Sequence, residues 1–229
     1  LYAIDKMNVD TLLLDDGLQF LPLKHRLDIV LVDRQAPFGN EYLLPRGTLR
    51  EPPKNLRRAS YIFITKSTPA GNAELIERIR KYNRTAEIIE CSHRPLYLQN
   101  VFTDEQLPLD VLKDSYVGAL SAIAAPESFV DALRGLGAHI EIARHYADHH
   151  RFTEKEIVNF VTRCQRRDLD KIITTEKDAV RLPRLRNLEV PIYFLRVEIE
   201  ILTGHESWQS CVDRICKPQP MMPPERFFG

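Results

Sequence analysis

The chain has 229 residues, 44% of them apolar, and its 32 basic side chains are matched by 32 acidic ones. That composition excludes a disordered chain, and the neutral balance argues against bulk nucleic-acid binding, which depends on excess positive charge. Four scattered cysteines without a C-x-x-C pair fit a reducing compartment, and no apolar run approaches the roughly 20 residues that span a bilayer.

In chain order, the first signal is Thr11–Leu14, an apolar run without helical spacing. It predicts a strand buried on both faces of a parallel sheet, ending in Asp15-Asp16-Gly17. Pro22 prevents a long helix after it, and Leu27–Asp33 predicts a second strand. Residues 36–53 are rich in Pro and Gly yet carry Phe38, Tyr42, Leu43, Leu44 and Leu49, which predicts an ordered functional loop. A third strand is expected over Ser60–Thr65, an amphipathic helix over Asn72–Tyr82 and a short strand over Glu87–Glu90. Between His93 and Leu112 the pattern weakens into a linker.

A second α/β unit follows. Tyr116–Ala125 reads as a buried strand, and Pro126 suits the first turn of a helix that Gly135 and Gly137 close. Ile140–Ala143 is a strand, and Thr153 with Glu156 forms a capping box for the next helix. Lys171–Thr174 and Pro191–Leu202 are strands, and Glu206–Ile215 is a last helix with Trp208, Cys211, Val212 and Ile215 on its inner face. Strands and helices alternating at these lengths predict a parallel, right-handed α/β fold.

Three groups carry chemistry. A carboxylate pair such as Asp15 and Asp16 at the carboxyl end of a sheet strand can hold Mg²⁺ beside a nucleotide phosphate, in the manner of a Walker B element; the same pair also reads as a turn former. In the loop, Arg46 and Arg50 offer planar forks for phosphate, and Glu51 could reach a metal ion; a local Arg–Glu pair on a solvated loop is the alternative. In Tyr146–Thr153, Asp148 precedes His149 and His150, and a histidine can take a proton from a hydroxyl; a surface pair on a loop is the alternative. No further Cys/His cluster lies near enough for zinc. In Thr174–Val180 the acidic residues suit the start of a short helix, a structural role.

The stretches LLLDDGLQ, LDIVLVD, PFGNEYLLPRGTLREP, ADHHRFT and ITTEKDAVRL, in this order, resemble the tetraacyldisaccharide 4′-kinases of lipid A biosynthesis from about residue 10 to about residue 200. The resemblance implies a P-loop NTPase-like α/β protein with two α/β/α lobes, parallel sheets and a β-ribbon linker. The expected division is 1–90 as a partial nucleotide-binding lobe, 91–112 as the ribbon, 113–216 as the second lobe and 217–229 as a loose tail. It implies an ATP-dependent kinase that phosphorylates the 4′-hydroxyl of a lipid A disaccharide 1-phosphate with Mg²⁺, at the cytoplasmic face of the bacterial inner membrane. Asp15 and Asp16 correspond to the metal-holding carboxylates, joined by Glu51; Gln19, Arg46 and Arg50 to phosphate contacts; His149 to the residue that helps activate the hydroxyl.

Two departures stand out. Phe20 occupies a position where the family usually has His, and no G-x-x-x-x-G-K-[ST] loop occurs in the chain. The family carries that loop, its membrane-associated segment and the carboxylate partner of the histidine upstream. The expectation is therefore an N-terminally truncated kinase that binds ATP poorly by itself. A degenerate, non-catalytic lipid- or nucleotide-binding paralogue is the rival reading.

Overall fold

The computed structural model describes residues 6–7, 9–23, 26–148, 150–185 and 188–216. The expected loose tail lies outside them. The fold is mixed α/β with mostly parallel strands, and the chain divides into two compact units: 1–93 with 199–229, and 94–198.

In the first unit, β1 (Ile29–Asp33), β2 (Tyr61–Thr65) and the start of β3 (Glu87–Asn100) pair in parallel, and the end of β8 (Ile192–Thr203) lies next to β3. Every apolar position of β2 is buried, as expected of a strand covered on both faces. On one face Ile62 and Ile64 pack against Ile79 of α1 (Ala73–Arg80), with Val32 and Leu56. On the other, Tyr61 and Phe63 pack with Ile89, Cys91 and Cys211 of the last helix, α5 (His205–Cys216). Fully burying a side chain such as Ile79 stabilises by about 1.5–3 kcal/mol.

In the second unit the order is β3-β8-β7-β5-β6, with β4 (Gln106–Leu107) antiparallel to β3. Strand β5 (Tyr116–Ser121) pairs in parallel with β6 (His139–His145) and β7 (Lys171–Thr175), and β7 pairs in parallel with β8. Helix α2 (Pro126–Gly135) covers one face through Phe129, Val130 and Leu133. Helix α3 (Glu154–Gln165) covers the other through Ile157, Phe160, Val161 and Cys164. A one-turn helix, α4 (Glu176–Ala179), follows β7.

One expected strand is absent. Thr11–Leu14 has no ladder partner and no regular structure, and Leu12 and Leu13 are 62% and 83% exposed. A strand exists only through its neighbours; here β1 ends the sheet order of its unit and, among the described residues, pairs only with β2. Strand β3, by contrast, continues through Asn100, well past the expected end at Glu90.

Candidate active site

Asp15 and Asp16 lie in an exposed turn rather than at the end of a strand, and Asp16 takes a left-handed backbone conformation, φ 56°. A short 3₁₀ turn, Gly17–Gln19, follows at once. Two arginines hold this turn by its backbone. Arg58 donates to Leu18 O at 3.2 Å; Arg26 donates to Leu18 O at 3.3 Å and to Phe20 O. Each is fixed by an acid: Arg26 by Asp28 at 3.0 Å, Arg58 by Glu51. Charge-assisted hydrogen bonds to carbonyls pin a segment that contributes no strand hydrogen bonds of its own.

The loop after β1 closes on itself. Leu44 N–H donates to Leu49 O at 2.9 Å, Leu49 N–H to Tyr42 O at 3.2 Å and Gly47 N–H to Leu43 O at 2.9 Å. A Cβ at Gly47 would come within 2.1 Å of Tyr42 O, so only glycine fits that fold of the chain. The Arg46 guanidinium lies over the Tyr42 ring, 3.9 Å from its centroid. Phe38 packs edge-on against Tyr82 at 5.9 Å, and Arg78 pairs with Glu41, which ties the loop to α1 and the turn after it.

The loop delivers Arg50 to Asp16. The two form an ion pair across 34 residues, with 59% and 57% of their side chains exposed. The Asp15 side chain is exposed with no partner among the described residues, as is the Gln19 side chain. Glu51 does not join the two aspartates: its Oε2 accepts from Asn55 Nδ2 at 2.7 Å and from Arg58, and it is only 18% exposed. Among the described residues no group of three or more His, Cys, Asp or Glu side chains could hold a metal ion. The donor set is thus a carboxylate pair. That suits Mg²⁺, which usually takes one or two carboxylates and completes its shell with water and phosphate oxygens.

At the end of β1, Asp33 accepts from Lys66 Nζ at 2.6 Å and from Gln35 N–H at 2.8 Å. Partial burial alone would raise its pKa, but these hydrogen bonds and the Lys66 charge outweigh burial and hold it below the usual carboxylate value.

In the second unit the segment after β6 is well anchored. Tyr146 N–H donates to Ser121 O at 2.9 Å, and Ser121 Oγ lies 3.0 Å from His145 Nδ1. Tyr146 stacks on His150, centroids 4.5 Å apart, and Phe152 meets both rings edge-on. His150 Nε2 is 3.2 Å from both Glu156 oxygens. The capping box is complete: Glu156 accepts from Thr153 N–H and hydroxyl at 2.8 Å each, and Glu156 N–H donates back to Thr153 Oγ1. The Thr153 hydrogen bonds, backbone first, with a lesser share from His150, bring the Glu156 carboxyl down to about 2. His150 is therefore the histidine that packs. His149 lies outside the described residues.

Sequence reasoning missed the two clamping arginines, because nothing local marks an arginine that reaches a carbonyl 8 or 40 residues away. Asp178, expected at the start of the short helix, is there and is fully buried; its bond to Ala122 was not foreseen. Its Oδ2 accepts from Ala122 N–H at 3.0 Å and the Thr175 hydroxyl at 2.7 Å, tying α4 to the turn after β5. The T-x-x-D spacing of a helix cap was the available signal.

A protein-family model described as tetraacyldisaccharide-1-P 4′-kinase matches residues 1–217. The tetraacyldisaccharide 4′-kinase of Anaeromyxobacter sp. (strain K) is 35% identical over 229 residues, covering 97% of this chain and 60% of that protein. The enzyme of the same name from Elusimicrobium minutum is 36% identical over 204 residues, covering 87% of this chain and 54% of its own length. A crystal structure of LpxK from Aquifex aeolicus in complex with ATP matches with a TM-score of 0.63 at 24% identity, covering 94% of this chain and 60% of that one. It supports the P-loop kinase type of fold. The chain thus spans between 54% and 60% of the length of these relatives. By the extent of the family-model match, the chain belongs to the tetraacyldisaccharide-1-P 4′-kinase family.

Proposed function

We infer that this chain is part of an ATP-dependent kinase that phosphorylates the 4′-hydroxyl of a tetraacylated disaccharide 1-phosphate in lipid A biosynthesis. The observation that carries the reading is the meeting of Arg50 with Asp16 on a turn clamped by Arg26 and Arg58. Phosphoryl transfer demands positioning and charge neutralisation more than covalent help. A guanidinium and two carboxylates on a clamped, exposed turn meet that demand.

In this reading Asp15 and Asp16 would hold Mg²⁺, and the ion would supply charge neutralisation beside the nucleotide's phosphates. Arg50 orients Asp16 through their ion pair, and its guanidinium would offer a fork to a phosphate. Gln19 and Arg46 flank the same turn and loop as phosphate contacts. Glu51 acts through Arg58 and is a positioning residue. His149, beside the packed His150, receives the proton of the acceptor hydroxyl. The lipid acceptor implies work at the cytoplasmic face of the inner membrane. Among the described residues no helix is long and apolar enough to cross a membrane.

The test is steady-state kinetics on the natural protein that carries this sequence. Asp16→Ala and His149→Ala should each lower kcat by about 10²–10⁴-fold. An unchanged kcat in both variants removes these roles.

A further inference from the structure

We propose that the groove between α3 and β6 is a binding site for a phosphomonoester, distinct from the turn at Asp15 and Asp16. The cavity has a volume of about 420 Å³ and lies within the second unit. Its size falls within the roughly 300–1,000 Å³ of small-molecule sites. Strand β6 ends the unit's strand order, so one side of the groove is a sheet edge with no strand partner among the described residues. Helix α3 forms the other side. It aligns Glu156, Asn159 and Arg163 at helical spacing, and Arg166 follows at its end. Strand β6 contributes Arg144, and Tyr146 follows it.

Three guanidiniums therefore line one cavity, and none of them has a carboxylate partner among the described residues. The next arginine along, Arg167, does have one, Glu141 on the same strand, at 3.6 Å. Arg144 instead lies over the Tyr146 ring, 5.0 Å from its centroid, which sets its direction. The cavity's one acid, Glu156, is engaged by Thr153 and His150. The negative end of the α3 dipole offsets only about half a unit charge. The groove thus keeps an uncompensated positive field in a chain of zero net charge. Converging guanidinium forks bind a doubly charged tetrahedral anion better than a carboxylate, because more of its oxygens accept charge-assisted bonds. Asn159 adds a neutral donor and acceptor for a group attached to the phosphate. The phosphate recognised here is one already carried by a sugar or a lipid. The proposal requires neither nucleotide nor Asp16, so it stands or falls separately from the kinase reading.

The test uses the whole chain and two probes, glucose 1-phosphate and vesicles of phosphatidic acid in phosphatidylcholine, with glucose as the neutral control. Nitrogen-15 NMR should show saturable shifts of Arg144, Arg163 and Arg166 side-chain signals with one probe or both, at about millimolar sugar phosphate and weaker at high salt. A response to the sugar phosphate identifies a soluble ligand, and a response to the vesicles alone identifies a headgroup; either supports the site. The double variant Arg163→Gln/Arg166→Gln should weaken binding by at least about tenfold, and the Lys versions by less. Arg144→Gln provides an independent loss should the double variant fold poorly. Absence of saturable binding by either probe up to about 10 mM, an equal response to glucose, or affinity unchanged by these variants would overturn it.

Discussion

Asp16 and Arg50 each expose more than half of their side chain, so their pairing adds little to stability, about 0–1 kcal/mol. Arg50→Ala should therefore leave the urea midpoint of the chain nearly unchanged while phosphoryl transfer by the natural protein falls sharply. A loss of stability matching the loss of activity would make the arginine a structural residue. Asp33 behaves differently. Its pKa is held below the usual value in the folded state, so its stabilisation is present above the ordinary carboxylate pKa and is lost as pH falls through the lowered one. Asp33→Asn should flatten the acid limb of stability below about pH 4, read from denaturant midpoints across pH. These residues also mark what the sequence could say. Asp16, Arg50 and Asp33 are recognisable by type and local pattern. The clamps from Arg26 and Arg58, and the bond from Ala122 N–H to buried Asp178, arise from long-range approach and leave no local trace.

The elements read best from sequence are those whose causes are local. Thr153 and Glu156 declare the start of α3 three residues apart, and short continuous apolar runs declare β2, β5 and β7. Thr11–Leu14 has the same apolar signature, yet becomes no strand, because a ladder depends on neighbours that a run of leucines cannot specify. Close packing between elements is equally hidden. Gly118 of β5 lies so near α3 that a Cβ would come within 2.7 Å of Cys164 Sγ. Gly118→Ala should destabilise the second unit by about 1–3 kcal/mol, and Cys164→Ala should recover part of that by opening room. Additive losses in the double variant would show that the two positions do not compete for space. Burial pushes the Cys164 thiol up to about 11, so an alkylating reagent should not reach it before unfolding.

At the scale of the molecule, among the described residues the apolar clusters of 94–198 contain no residue of the other unit, and those of the first unit contain none of 94–198. A polypeptide of 94–198 should therefore fold cooperatively alone, seen as a single sigmoidal melt by circular dichroism; a gradual, non-cooperative change would show that its core depends on the rest. The chain leaves the first unit after His93 and re-enters it at Ile199, through strands that lie side by side, with Arg94 paired to Glu198 where they cross over. The second unit is thus spliced into the first like a cassette. The residues assigned to the phosphate donor, Asp15, Asp16 and Arg50, all belong to the host; the histidine segment and the arginine groove all belong to the insert. On the proposed assignment, evolution could retune what the protein accepts by rewriting the guest alone, leaving the residues proposed to handle the donor untouched.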